Sequence, residues 1–258
     1  MLKQSLLSLL ALGALSLPVQ APDSMNEGSG HHPKVDWSFS GPFGTYDKAA
    51  LQRGFLVYKQ VCSACHGLDK MYYRHLGALG YSDAQIKTIA AEVTVNDGPN
   101  DEGEMFERPG RPSDKFKRPF PNDKAAMFAN NGALPPDLSL ITKARHGGAD
   151  HVYAILTGYK DAPADVQLMS GQYYNVAKDG HIIAMAPPLT ADGQVAYEDS
   201  ETPQTVDQYA KDVSHFLAWA AEPEMEQRKR MGVKVIVFLA LFAGIMYLVK
   251  RKIWENAH

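Results

Sequence analysis

The chain has 258 residues, 45% apolar and 21% charged, a balance that suits one sizeable core or two small ones and excludes a wholly disordered polymer. Its formal charge of -3 hides an asymmetry: between Pro22 and Gln227, 28 acidic residues face 18 basic ones, a net -10. Such a body repels nucleic acid and attracts basic partners, although acidity that serves only solubility gives the same count.

Residues 1–21 read as a secretory leader: Lys3 supplies the positive start, Leu6 to Leu17 the short apolar run, and Val19-Gln20-Ala21 a small-residue cleavage site. Asp23 to Gly44 is rich in Gly, Pro, Ser and His and reads as an extended arm, with His31-His32 a solvated pair. A helix is predicted from Asp47 as N-cap, because Leu51, Phe55, Tyr58 and Cys62 recur at spacings of three and four. It carries Cys62-Ser63-Ala64-Cys65-His66 at its C-terminal end, with Gly67 available to stop it.

That stretch has the C-x-x-C-H pattern of c-type haem attachment. Two thiols three positions apart can each add across one vinyl group of a porphyrin, and the following histidine can supply an axial nitrogen. A thioredoxin-like redox pair does not require the histidine. A zinc site needs four ligands, and the chain has no other cysteine. With both cysteines on haem, no disulfide is possible.

Further on, Ser82 and Gln85 have capping-box spacing before Ile86, Ile89, Ala90 and Val93. Asn96 to Glu104 reads as a turn-rich acidic loop, and the four prolines between Arg108 and Pro121 exclude a regular helix there. Asn130-Asn131-Gly132 is a turn. Pro135-Pro136-Asp137 precedes a helix through Leu138, Ile141 and Ala144 that Gly147-Gly148 ends, and Asp150 is expected to cap a short helix with Val152, Ile155 and Leu156. Thr157 to Ser200 reads as irregular. Thr205 then caps a helix whose apolar stripe is Val206, Tyr209, Val213, Phe216, Leu217 and Ala220, ending at Glu222-Pro223. Met231 to Val249 is apolar apart from Lys234; at ~1.5 Å per residue it extends about 28 Å, enough for one transmembrane helix.

An iron held by one histidine needs a sixth ligand or stays open to small molecules. Of ten methionines, Met185 stands out, lying in the apolar run Ile182 to Leu189 directly before Ala186 and two prolines. Its residue-level readings are two: an iron thioether, which favours the reduced metal, or a core gap filler.

Beyond the attachment motif, longer strings carry a family resemblance. They include Arg53-Gly54-Phe55, Asp97-Gly98-Pro99-Asn100, Gly103-Glu104-Met105-Phe106, Ala129-Asn130-Asn131-Gly132-Ala133-Leu134-Pro135-Pro136-Asp137, Ala144-Arg145-His146-Gly147-Gly148, Leu156-Thr157-Gly158-Tyr159, Ala184-Met185-Ala186-Pro187-Pro188 and Trp219-Ala220-Ala221-Glu222-Pro223-Glu224. From about Trp37 to Trp254 the sequence closely resembles the cytochrome c1 family, the c-type haem subunit of the cytochrome bc1 complex (ubiquinol:cytochrome c oxidoreductase). The resemblance implies a mainly α fold: a class I cytochrome c-like helical haem domain with long irregular loops, plus one C-terminal transmembrane helix. It implies one covalent haem c on Cys62 and Cys65, iron ligation by His66 and Met185, a propionate partner in Arg145, and Pro135 and Pro136 lining the pocket.

The implied boundaries are a signal peptide at 1–21, a periplasmic haem domain at 22–230, the membrane helix at 231–249 and a cytoplasmic tail at 250–258. The protein then sits in the cell inner membrane as a single-pass component of a respiratory or photosynthetic chain. The implied partners are cytochrome b, the Rieske iron–sulfur protein as electron donor and cytochrome c as acceptor, with no nucleic acid. Two departures stand out: His151 occupies the place of a tyrosine expected near the propionates, and the extra cysteine pair of some bacterial members is absent. The competing readings are an anchored mono-haem subunit of a terminal oxidase, a peroxidase or gas sensor with an open sixth position, and a purely structural anchored protein.

Overall fold

A computed structural model describes residues 33–255; the expected leader and the His31-His32 pair lie outside the described residues. The chain is mainly α, as expected, and is organised around two crossing helices. α1 (Lys48–Gln60) begins at Asp47, whose carboxylate accepts the Ala49 N–H and so satisfies one of the first-turn donors that a helix leaves unpaired. α6 (Val206–Ala221) begins at Thr205, whose hydroxyl accepts the Gln208 N–H. Leu51, Phe55 and Tyr58 of α1 meet Tyr209, Val213, Phe216 and Leu217 of α6 in one buried cluster. The helices approach so closely at Gly54 that a Cβ there would lie 2.0 Å from the Asp212 carbonyl oxygen. Beside that contact Arg53 grips the Asp212 carboxylate through Nε at 2.9 Å and Nη2 at 3.1 Å, and the Tyr197 hydroxyl donates to the same carboxylate at 2.9 Å.

Around this crossing lie the smaller elements: a 3-10 helix (Tyr73–Leu79), α2 (Asp83–Ala91), β1 (Thr94–Asp97), β2 (Phe106–Pro109), α3 (Asp123–Ala129), α4 (Ile141–Ala144), α5 (Ala149–Thr157), β3 (Tyr173–Tyr174) and β4 (Ile182–Ile183). Each strand pair is antiparallel, with Thr94 opposite Pro109 and Tyr173 opposite Ile183. α5 packs on the face of α6 next to α1, so α6 links the attachment motif to the C-terminal half of the domain.

The structure corrects three local expectations. The attachment helix ends at Gln60 rather than near Gly67, and Cys62–Ala64 forms a 3-10 turn, because Cys65 N–H and His66 N–H both bond Cys62 O. Asp150 does not cap α5: Gly148 holds the N-cap, and the Asp150 carboxylate instead accepts Val35 N–H at 3.1 Å and Trp37 Nε1–H at 2.7 Å. The acidic loop is the connection of the β1–β2 hairpin, closed by Asn100 Oδ1, which accepts from both Glu102 and Glu104 N–H.

α7 (Met225–Trp254) is 30 residues long and leaves the domain alone; every residue from Val233 to Glu255 is exposed. Its apolar stretch is long and hydrophobic enough to cross a membrane. Its first turns are tied back to the arm. Glu226 Oε1 accepts Tyr46 N–H at 2.9 Å, and Lys229 Nζ donates to Phe39 O at 2.7 Å and Gly44 O at 3.0 Å.

Candidate metal centre

After α1 ends, the motif loop is zipped to a segment nearly 70 residues later. His66 Nδ1 donates to Pro136 O at 2.7 Å. Leu138 N–H meets Gly67 O at 2.9 Å, Asp69 N–H meets Asp137 Oδ2 at 2.7 Å, and Lys70 N–H meets Ser139 Oγ at 3.0 Å. From the helix side Tyr58 Oη donates to His66 O at 3.0 Å. The bond to Pro136 fixes the tautomer: with the proton on Nδ1, the Nε2 lone pair is the one left for a metal. Burial holds the His66 imidazole below its usual range, outweighing the Pro136 carbonyl and the Asp137 charge. The ring is therefore neutral near pH 7, the form that ligates.

Burial, reinforced by Cys65, pushes the Cys62 thiol up to about 12. A redox-active C-x-x-C pair works through a stabilised thiolate, so this environment disfavours the thioredoxin-like reading. Among the described residues no three His, Cys, Asp or Glu side chains converge to complete a zinc site. The donor set therefore fits a haem better than either rival: two thiols, one oriented imidazole nitrogen, and apolar surface left uncovered on the segments that carry the other expected contacts. Leu134 and Leu140 flank the prolines, and Val176 and Ile182 precede Met185; all four are open to solvent.

Cys65, Pro135 and Pro136 line one pocket of about 250 Å³ together with Gly67 and Leu134. Pro135 is half-buried and Pro136 exposed. Met185 stands apart from the zipped loop, half-buried against Ala154, Ile155 and Ala177. Arg145 follows α4, exposed, with Nη1 on Ala144 O at 3.3 Å and no carboxylate partner among the described residues. The structure thus brings Cys62, Cys65, His66, Pro135 and Pro136 together, packs Met185 against the cluster of Ala154, Ile155 and Ala177, and places Arg145 at the end of α4. Sequence reasoning had not singled out Asp137, Ser139 or Tyr58 as supports of the loop. The only local hint was an Asp two residues before a Ser, the spacing of an Asx turn, which Asp137 Oδ1 forms with Ser139 N–H at 2.9 Å.

The acidic hairpin is less uniform than its sequence implies. Asp97 is bound to Arg108, which also holds Asp114 with Nη1 at 2.6 Å. Asp101, Glu102 and Glu104 project into solvent.

Comparison with known proteins places this site in context. The model of the cytochrome C1 family matches residues 37–257. The chain is 49% identical over 274 residues to cytochrome b/c1 of Bradyrhizobium diazoefficiens, which covers 98% of this chain but only 40% of that longer relative. It is 44% identical over 263 residues to cytochrome c1 of Rhodospirillum rubrum, covering 96% of both. It is 53% identical over 209 residues to a mitochondrial cytochrome c1 heme protein of Solanum tuberosum, covering 81% of this chain and 80% of the relative. With a family match that runs from Trp37 through the apolar C-terminal helix, the chain belongs to the cytochrome c1 family.

Proposed function

We propose that the protein is the membrane-anchored mono-haem c-type cytochrome of a quinol-oxidising bc1 complex, relaying single electrons from the Rieske iron–sulfur protein to cytochrome c beside cytochrome b. The observation that carries the reading is the His66–Pro136 bond of 2.7 Å, which presents a neutral imidazole nitrogen beside two thiols at attachment spacing. Family membership and the relatives' names, a heme protein in one case and cytochrome b/c1 in another, support the cofactor and the complex.

In this reading Cys62 and Cys65 would hold the haem as thioethers, the addition of each S–H across one vinyl C=C needing no oxidant. When bound, the haem iron supplies a one-electron couple. The chain's residues do the rest. His66, held from rotating by Pro136, and Met185 would hold the iron, and Arg145, with no carboxylate partner among the described residues, would offer its guanidinium fork to a propionate. Pro135 and Pro136 wall the cofactor edge. The domain at 22–230 lies on the periplasmic side, residues 231–249 cross the inner membrane and 250–258 lie in the cytoplasm.

Met185→Leu tests the centre. The variant keeps its covalent haem, but its midpoint potential falls by an amount on the order of 0.2 V, within the ~0.8 V range that axial ligands span. Its reduced form binds carbon monoxide, and quinol–cytochrome c turnover collapses. A potential that stays at the wild-type value removes Met185 from the iron.

A further inference from the structure

Met185 hangs from the C-terminal end of α5, although no residue of α5 precedes it closely in sequence. The last carbonyls of a helix need partners from elsewhere. Asn175, fully buried, supplies one: its Nδ2 donates to Ile155 O at 2.8 Å while its Oδ1 accepts Ala177 N–H at 3.0 Å. Val176 N–H adds a bond to Gly158 O at 2.9 Å. The two segments meet so tightly that a Cβ on Gly158 would lie 2.7 Å from Asn175 Oδ1 and 3.2 Å from the Ala177 Cβ. These contacts fix the connection between β3 and β4. The exit from β4 is fixed by Tyr159, two residues past α5, whose hydroxyl donates to Met185 O at 3.0 Å. The side chain of Met185 packs against the small buried cluster that Ala154 and Ile155 of the same helix form with Ala177.

We propose that Tyr159 and Asn175 are positioning residues for the Met185 sulfur, a proposal that rests on the reading of Met185 as an iron ligand. Through them the ligand is referenced to α5, α5 to α6, and α6 to α1, which leads into Cys62 and His66. A thioether is a weak ligand on a flexible side chain, so its hold on iron depends on the backbone that presents it. Asn175 anchors the loop as a whole. Tyr159 acts on the ligand residue itself through one hydrogen bond.

Tyr159→Phe removes that bond and keeps the half-buried ring. In the full-length, haem-loaded protein we expect a weakened sulfur-to-iron charge-transfer band in the oxidised spectrum, a downward shift in midpoint potential, and carbon monoxide binding by the reduced form where wild type shows none. Covalent haem content stays unchanged. A lower melting temperature with band and potential at wild-type values assigns Tyr159 a purely structural role and overturns the proposal, as does a variant identical to wild type in all readouts. Met185→Leu measured in parallel separates the two layers. If it leaves the band intact, the ligand reading itself fails; if it abolishes the band while Tyr159→Phe does not change it, only the positioning role falls.

Discussion

At the scale of single residues, the ligands and their supports differ in how visible they are. Cys62, Cys65 and His66 are legible because the chemistry demands fixed side-chain types at fixed spacing. Their principal support is a main-chain carbonyl 70 residues away, on Pro136, and a carbonyl carries no side-chain signature. Asp137 is the side chain that fastens that carbonyl's segment to the motif loop, accepting Asp69 N–H on one oxygen and Ser139 N–H on the other. Asp137→Ala leaves both donors without a protein partner. Because Asp137 is itself exposed, water recovers part of the loss, so the expected cost is about 1–2 kcal/mol. That corresponds to a fall in melting temperature of roughly 2–8 °C for a domain of this size. Asp137→Asn keeps an acceptor oxygen and recovers part of it. A melting temperature unchanged in the alanine variant removes Asp137 from the support of the loop.

At the scale of elements, the stripes of α1 and α6 could be read from apolar spacing, and both N-caps sit where the sequence places them. The meeting point of the two helices could not, because Gly54 and Asp212 advertise no pairing. His215 was equally hidden: it lies on α6 outside the apolar stripe, yet it is buried among Trp37, Phe39 and Tyr46. Its Nε2 accepts Asp47 N–H at 3.3 Å, so a histidine of α6 helps to start α1. Burial pushes its pKa from 6.5 down to about 4, against the charges of Asp47 and Asp212 and with that of Arg53.

The sign of the stability effect follows from proton counting. Between pH 6.5 and about 4 the unfolded chain binds a proton on this residue that the folded chain refuses, so acid favours unfolding. Stability from this group is complete above pH 6.5 and is lost as pH falls toward 4, by up to about 3 kcal/mol. Thermal unfolding in detergent from pH 7.5 to 4.5 should therefore show a falling midpoint, and His215→Asn should flatten the fall while lowering the plateau near neutrality. Equal slopes in the two proteins place the acid sensitivity on other groups.

At the scale of the whole molecule, a domain with a net charge of -10 between Pro22 and Gln227 stands on an exposed apolar helix flanked by Arg228-Lys229-Arg230 and Lys250-Arg251-Lys252. The charge imbalance and the anchor were legible in composition alone. The short hairpin β1–β2 was not, since β1 alternates exposed and half-buried residues over only four positions and β2 does not alternate at all. That hairpin decides which acids face an approaching partner. Asp97 spends its charge on Arg108, whereas Asp101, Glu102 and Glu104 at the tip have no cationic partner among the described residues. Steering by such a tip works over long range and is screened by salt.

Electron transfer to a basic cytochrome c should accordingly slow as ionic strength rises. Neutralising Asp101, Glu102 and Glu104 together should lower the low-salt rate by roughly three- to tenfold, a part of the ~10–10³-fold that a whole steering field contributes. The difference should vanish near 1 M salt, where the screening length is about 3 Å. Neutralising Asp161, Asp165 and Glu201, equally exposed but outside the hairpin, changes the net charge by the same amount. A larger loss from the hairpin set locates the approach of the acceptor at the tip. Equal losses assign the attraction to net charge alone, and rates indifferent to salt in every variant remove steering from the mechanism.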